Sequence, residues 1–228
     1  MERTPPGRFM LYTVFKVLPG WYGLAKEEKA RAIAEYLARV DDFKHRLVIR
    51  TYSTLGLKRE ADFLLWLITP ELDAVQGLTE ALRKTAMAPY LENTGSYLAV
   101  TRESTYLKGH MQEAPQVMVE PGQGRYLFVY PFVKSREWYL LPVEVRQKMM
   151  NDHFKVGHEF PGIRINTGYS FGLDDQDFVL AFEGDEPRDF VTLVMRLRET
   201  EGSRYTVRDT PFYTGVRKPL EEILWSLG

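Results

Sequence analysis

The sequence predicts an α+β fold built from two fused ferredoxin-like halves, and a repeated pattern is the first observation behind this prediction. Trp21 and Trp138 each begin a Trp-Tyr pair, and Tyr52 and Tyr169 each begin a YS…GL stretch. Both pairs are 117 residues apart, and such a fixed spacing indicates an internal duplication. The second observation is that each half repeats the order β-α-β-β-α-β, which is the ferredoxin-like arrangement.

The elements follow one another in the same way in both halves. An apolar strand comes first, then a charged helix, then a strand that ends at the YS…GL turn. A third apolar strand, a second helix and a closing strand complete the half. In the first half the strands with defined spans are 9–15, 62–68 and 96–101, and the helices are 26–40 and 70–86. In the second half the strands are 126–132, 177–183 and 211–216, and the helices are 143–156 and 187–200.

The strands are apolar on both faces. Tyr126, Phe128 and Tyr130 lie on one face of the fifth predicted strand, and Leu127 and Val129 lie on the other. A strand of this kind is covered on both sides. Helices account for one cover, and the sheet of the sister half is the simplest second cover, so we expect the two sheets to face each other.

The chain length of 228 residues suits two such halves. We place the first half at 1–107 and the second at 126–228, with a Pro- and Gly-containing linker at 108–125 between them.

The composition excludes several classes of function. Thirty basic residues against 31 acidic ones leave no basic surface of the kind that a general nucleic-acid binder needs. The chain has no cysteine, which rules out disulfides, thiolate ligands, cysteine nucleophiles and iron–sulfur clusters. The N-terminus lacks the long apolar run of a signal peptide or a membrane span. We therefore expect a cytoplasmic protein.

The two copies differ at positions that can carry chemistry. Tyr130 stands where the first half has Thr13, and Lys134 stands where it has Val17. Because they are four residues apart on one strand, their side chains share a face. The alternative interpretation is structural, namely a buried tyrosine with a satisfied hydroxyl and a lysine at the surface.

His153 is the other notable difference, because the first half has Tyr36 at the matching place. The predicted helix begins after a proline and ends at a glycine, and His153 shares a face of it with Met149 and Met150. Neutral imidazole is a common metal ligand and binds haem iron. The alternative is a histidine that is only packed in the core.

The other candidate residues give weaker evidence of a functional role. Three histidines stand alone: His45, His110 and His158. Three aspartates near the second turn are interpreted as solvent-facing turn residues: Asp174, Asp175 and Asp177. The sequence has no HExxH motif, no phosphate-binding glycine loop and no catalytic triad pattern.

Together these motifs resemble a known family. The YPxxxK…WY strand, the MxxH helix and the GLDDxDF turn and strand resemble the chlorite dismutase-like haem proteins. The tyrosine of YPF is similar to that of the coprohaem decarboxylase branch. The resemblance covers most of the chain and is strongest over residues 126–215.

The resemblance implies a dimeric α+β barrel fold, a homopentamer, and haem in the C-terminal half alone. It implies that His153 is the iron ligand, that Tyr130 is redox-active, and that Lys134 assists it. It also places Trp138 close to the haem propionates, and Met149, which shares the helix face of His153, is a further expected contact.

The chain departs from parts of the family pattern. Ile165 falls where the chlorite-degrading branch has a distal arginine and some decarboxylases have a glutamine. Arg164 points to the opposite face unless a bulge shifts it inward, so chlorite dismutation is not expected. Arg125 and Arg204 are candidate partners of a propionate, and Thr210 stands where some relatives have a serine near a propionate.

The resemblance implies peroxide-dependent decarboxylation of iron coproporphyrin III to haem b through a radical on Tyr130. Three alternatives remain open: a haem peroxidase, a haem carrier or sensor, and a barrel that binds no haem, in which His153 is only packed.

Overall fold

The computed structural model describes the chain over residues 7–102, 106 and 124–228. The predicted linker at 108–125 therefore lies outside the described residues, apart from its last two positions, and so does His110. In the ranges that are described, no helix is long and apolar enough to cross a membrane.

The chain divides into two compact units. The first comprises Met1–Val100 and Thr214–Gly228, and the second comprises Thr101–Tyr213. The C-terminal segment from Thr214 onwards, which sequence analysis assigned to the second half, thus groups with the first unit.

The elements are numbered in chain order. Before residue 103 they are β1 (Phe9–Val17), α1 (Lys26–Asp42), β2 (Val48–Lys58), β3 (Ala61–Thr69), α2 (Leu72–Arg83) and β4 (Leu91–Val100). From residue 124 onwards they are β5 (Tyr126–Lys134), α3 (Arg136–Leu140), α4 (Val143–His158), β6 (Arg164–Tyr169), β7 (Phe178–Gly184), α5 (Pro187–Arg198), β8 (Thr206–Arg208), β9 (Tyr213–Arg217) and α6 (Leu220–Trp225). Short 3₁₀ helices lie at Pro19–Gly23, Ala88–Tyr90 and Glu201–Tyr205.

The predicted α+β fold with a repeated order is confirmed. With the short helix α3 set aside, β1 to β4 and β5 to β8 each follow the order β-α-β-β-α-β. The starts of β1 and β5, of α1 and α4, and of β3 and β7 are each 117 residues apart, which is the spacing of the sequence repeat.

The first unit is an antiparallel sheet in the order β4-β1-β3-β2-β9. Ile33 of α1 and Leu78 of α2 pack with Phe63 of β3 in one buried cluster. Helix α6 adds Leu220 and Ile223 to that cluster, although sequence analysis did not predict this helix. Its leucines and isoleucine recur at three- and four-residue spacing, so the helical period was present but short.

The second unit is an antiparallel sheet in the order β6-β7-β5-β8. Phe128 and Phe182 pack against Phe190 and Leu193 of α5, and the rings of Phe128 and Phe190 stack 4.1 Å apart. The strand predicted at 211–216 is present as β9, and it pairs with β2 of the first unit. The three-residue strand β8, which pairs with β5, was not predicted, because it is too short and polar to show a strand pattern.

Both YS…GL stretches contain a glycine in the left-handed region. Gly56, which lies within β2, has φ 75°, and Gly172 has φ 73°, a conformation that a Cβ atom disfavours. This backbone requirement explains why the glycine recurs in the two copies.

Candidate functional site

Tyr130 and Lys134 lie on the helix-facing side of β5, as the alternation of the strand predicts. Tyr130 pairs with Leu180 of β7 and belongs to the cluster formed with Phe190 and Leu193 of α5. Tyr130 is buried, with 6% of its surface exposed, and its ring lies 4.2 Å from that of Phe212. The tyrosine is therefore held in a packed aromatic setting beneath the helices.

Lys134 is held at the end of the same strand. Its Nζ donates a hydrogen bond to the carbonyl oxygen of Gly202 at 2.6 Å and lies 4.6 Å from the centre of the Trp138 ring. Burial lowers the pKa of Lys134 to about 8. The prediction that it could be an ordinary surface lysine is wrong, because the ammonium group is partly desolvated and has a fixed direction.

A short path of contacts leads from Lys134 to α4. A Cβ built on Gly202, the acceptor of the Lys134 ammonium, would lie 3.8 Å from the Cβ of Met149. Met149 is buried on α4, and His153 follows it by one helical turn on the same face. The structure therefore places Lys134, Trp138, Met149 and His153 around one region of the second unit.

Asp177 joins the strand to the helix that carries Trp138. Its Oδ2 accepts hydrogen bonds from the backbone N–H of Lys134 and from the hydroxyl of Tyr139, each at 2.8 Å. The prediction that Asp177 faces solvent as a turn residue is therefore wrong, whereas Asp175 is exposed as expected. No sequence signal marks this role, because an aspartate after a glycine turn is typical of turn chemistry.

His153 is positioned by α4, which begins after Pro142 and ends at His158. Burial, and secondly the positive charge of Lys134, lowers the pKa of His153 to about 4. At neutral pH its imidazole is uncharged, and uncharged imidazole is the form that binds a metal. A single imidazole suits a metal whose other ligands come from a macrocycle.

The packing of α4 differs from that of its counterpart. Helix α1 buries four residues against its sheet: Ala32, Ile33, Tyr36 and Val40. Helix α4 buries only Met149. On the sheet below, Phe132 and Leu180 are only partly buried, and Ile165 is 47% exposed. Helix α4 thus covers its sheet less completely than α1 does, which is what a cleft for a flat apolar macrocycle would require.

The register of β6 settles the direction of two side chains. Ile165 pairs with Phe182 and therefore shares the helix-facing side, whereas Arg164 pairs with Glu183 on the opposite side. The register runs from Arg164 to Tyr169 without a shift, so no bulge turns Arg164 inward. This confirms the direction predicted for both residues.

A charged pair that the sequence does not predict lies close to Tyr130. Arg198 of α5 donates to Asp209 at 2.9 Å. Burial raises the pKa of Tyr130, the negative charge of Asp209 raises it further, and Arg198 acts in the opposite direction. No local motif marks this pair, because its members come from a helix and from the segment after β8.

Three residues predicted to contact the porphyrin have no contact with the group formed by Lys134, Trp138, Met149 and His153 among the interactions described above. Arg125 is exposed at the start of β5, with its guanidinium 5.4 Å from the ring of Tyr126. Arg204 and Thr210 are also exposed. Their contact with a propionate stays a prediction.

The remaining histidines lie apart from the group. His45 is exposed in the turn after α1, and His158 is exposed at the end of α4. Over residues 7–102, 106 and 124–228, no three residues of the types His, Cys, Asp and Glu come together as a metal site.

Comparisons with known proteins cover nearly the whole chain. A family model described as chlorite dismutase matches residues 26–218. A coproheme decarboxylase of Mycolicibacterium smegmatis is 34% identical over 221 residues, which are 96% of this chain and 94% of the relative.

Solved structures agree with this result. A mutant chlorite dismutase of Candidatus Nitrospira defluvii has a TM-score of 0.89 and 28% identity, covering 98% of this chain and 96% of that one. The chlorite dismutase of the same organism in complex with imidazole also has a TM-score of 0.89, with 26% identity and the same coverage. The fold is therefore that of the chlorite dismutases.

Proposed function

The chain belongs to the chlorite dismutase family, and on this premise we propose that it is a coprohaem decarboxylase. It converts two propionates of iron coproporphyrin III into vinyl groups and so makes haem b. The observation that carries this proposal is the match along 96% of the chain to a relative named coproheme decarboxylase. The candidate site residues of this chain support the proposal, because they lie around one region of the second unit.

In this proposal three groups of side chains hold the substrate. His153, uncharged at neutral pH because burial lowers its pKa to about 4, binds the iron. The cleft between α4 and the sheet takes the flat ring, with Met149 on the side of His153 and Ile165 on the side of the sheet. Trp138 and the ammonium of Lys134 lie at the propionates, where a positive charge stabilises a carboxylate.

The substrate brings its own redox centre, so the protein supplies position and charge. For each propionate, the side chain loses carbon dioxide, one proton and two electrons and becomes a vinyl group. Hydrogen peroxide accepts those two electrons together with two protons and becomes two water molecules. Tyr130 gives up an electron and a proton, and its oxygen radical then removes a hydrogen atom from the propionate β-carbon.

Lys134 contributes through its charge and its proton. With a pKa lowered to about 8 by burial, it is charged at neutral pH and still able to release a proton. A group whose pKa is close to the working pH is suited to proton transfer. Its hydrogen bond to Gly202 keeps the ammonium on the side of Trp138.

The directions of the Ile165 and Arg164 side chains on β6 favour decarboxylation over chlorite dismutation. A guanidinium above the iron would stabilise an oxyanion derived from chlorite. Ile165 stands on the helix-facing side instead, and Arg164 points away from it. An apolar side chain there leaves room for peroxide and offers no cation to chlorite.

The test is to load the purified protein with iron coproporphyrin III in the absence of oxygen and to add peroxide stepwise. Mass spectrometry of the extracted porphyrin should show the loss of one and then of two carbon dioxide units. Binding without such loss would contradict the proposal. Oxidation of added reductants in that case would indicate a peroxidase, and no response to peroxide would indicate a carrier.

Two further properties stay predictions of the family resemblance, namely a homopentameric assembly and a location in the cytoplasm. The mass of the purified protein by light scattering checks the first. Fractionation of the native cells checks the second.

A further inference from the structure

The segment that follows β8 lies on the same side of the sheet as Tyr130. Asp209 is the first residue after β8, and its carboxylate forms an ion pair of 2.9 Å with Arg198. Arg198 is the last residue of α5, a helix that packs on the helix-facing side of β5 through Phe190. Asp209 therefore lies on the helix-facing side of the sheet, where the Tyr130 side chain is buried.

The same segment continues over the tyrosine ring. Phe212 lies three residues beyond Asp209, and its ring centre is 4.2 Å from that of Tyr130. The Asp209 side chain keeps 28% of its surface exposed, so it can exchange a proton with water. The raised pKa of Tyr130, to which the charge of Asp209 contributes after burial, agrees with a carboxylate close to the phenol.

We propose that Asp209 accepts the phenolic proton of Tyr130 when this tyrosine is oxidised, and that Arg198 holds the carboxylate in place for this transfer. This role rests on the decarboxylation proposed above. A buried phenol that loses an electron must also release its proton, and a nearby carboxylate is a suitable acceptor. An arginine partner keeps that carboxylate ionised and oriented.

The atoms and electrons balance in four steps. The O–H bond of Tyr130 breaks, its electron goes to the peroxide-oxidised substrate, and its proton forms an O–H bond on Asp209. The phenoxyl oxygen then takes a hydrogen atom from the propionate β-carbon, which restores the phenol. The carbon radical that remains gives its electron to the oxidised substrate, and its bond to the carboxylate carbon breaks to leave the vinyl group and carbon dioxide. Asp209 finally releases its proton to water at its exposed edge.

The first test needs no porphyrin and reads the contact itself. A fluorinated tyrosine is placed at position 130 of the full chain, and its ionisation is followed by fluorine NMR against pH. Asp209→Asn should lower the pKa of this phenol by ~1 pH unit, and Arg198→Gln should raise it. Glu159→Gln is the matched control, because it removes a carboxylate that pairs with Arg196 on the same helix at 3.0 Å. A titration that Asp209→Asn leaves unchanged would overturn the proposal.

The second test reads the proton transfer in the chain with its natural Tyr130. Asp209→Asn should slow the first loss of carbon dioxide in a single turnover by roughly 100-fold and enlarge its solvent deuterium isotope effect. Asp209→Glu should recover most of the rate, and the affinity for iron coproporphyrin III should stay the same in all variants. An unchanged rate in Asp209→Asn, alongside a shifted phenol titration, would mean that Asp209 is a neighbour and not the acceptor.

The two tests separate this role from the proposed function. A wild type that binds iron coproporphyrin III and loses no carbon dioxide refutes the decarboxylase, and the acceptor role falls with it. A wild type that decarboxylates normally, beside an Asp209→Asn variant that does so equally fast, refutes the acceptor role alone. Asp209→Glu and Arg198→Gln keep the question answerable if Asp209→Asn fails to fold.

Discussion

The hydroxyl of Tyr130 is a single atom whose removal separates binding from chemistry. We expect Tyr130→Phe to bind iron coproporphyrin III with unchanged affinity, because the ring and its packing against Phe212 remain. The first loss of carbon dioxide should fall by more than ~100-fold, since no positioned phenol is left. Single-turnover mass spectrometry and a Soret titration measure the two quantities.

The matched control for this change is Tyr126→Phe, on the same strand and face. It removes the hydroxyl of a ring whose centre lies 5.4 Å from the Arg125 guanidinium, at the opposite end of β5 from Lys134, and should leave the rate unchanged. A Tyr130→Phe variant that makes haem b at the normal rate would show that the electron comes from another residue.

Lys134 gives a prediction about pH in the protein without porphyrin. Its pKa is 10.5 in an ordinary setting and about 8 in the folded chain. Between these values the unfolded chain holds the proton more tightly, so the unfolding free energy of the wild type rises with pH. Relative to Lys134→Met, which has no proton to lose, the wild type should gain roughly 2 kcal/mol from pH 7 to pH 10.

Denaturant unfolding of both proteins across this range measures the gain. Lys134→Arg is the control, because arginine stays charged throughout, and its difference from Lys134→Met should stay constant. If the unfolding free energies of the wild type and of Lys134→Met change with pH in the same way, the lysine of the folded chain is not desolvated.

At the scale of elements, Asp177 connects β5, α3 and the start of β7. Asp177→Ala removes the acceptor of two hydrogen bonds of 2.8 Å, from the Lys134 backbone and from Tyr139. We expect the unfolding free energy to fall by about 2–4 kcal/mol, since hydrogen bonds to a charged acceptor are among the stronger ones. Asp175→Ala, at an exposed neighbour, should change it by less than about 0.5 kcal/mol.

Both variants are compared by urea unfolding, followed through tryptophan fluorescence. Equal stability of the two variants would mean that Asp177 is a simple turn residue after all.

The elements themselves were largely predictable. An apolar run such as that of β3, and helices with apolar residues at three- and four-residue spacing, give the same signal in both copies. Strand β8 was not predictable, because it has three residues and a polar sequence. The pairing of β9 with β2 depends on distant parts of the chain, which local patterns do not specify.

At the scale of the whole molecule, the candidate site was predictable where the two copies differ in sequence. Tyr130, Lys134 and His153 stand against Thr13, Val17 and Tyr36 of the first copy. The pair of Arg198 and Asp209 was not predictable, because it forms only when α5 and the segment after β8 meet. Side chains that act through tertiary contacts have no spacing of their own in a sequence.

The difference in helix packing leads to a prediction about stoichiometry. Helix α1 buries four residues on its sheet, including Tyr36 at the position that matches His153, so its sheet-facing side is filled by side chains. Helix α4 buries one. We therefore expect a Soret titration with iron coproporphyrin III to end at one equivalent per chain, and His153→Ala to abolish the histidine-ligated spectrum.

Tyr36→His tests whether the cleft or the histidine is decisive. It places an imidazole at the matching position of the first unit, beneath a helix that remains packed on its sheet. The titration should still end at one equivalent, because a ligand without space beside it cannot hold a macrocycle. A second equivalent in this variant would show that α1 can move away from its sheet to admit a porphyrin. The presence of a histidine would then be the feature that decides which unit binds.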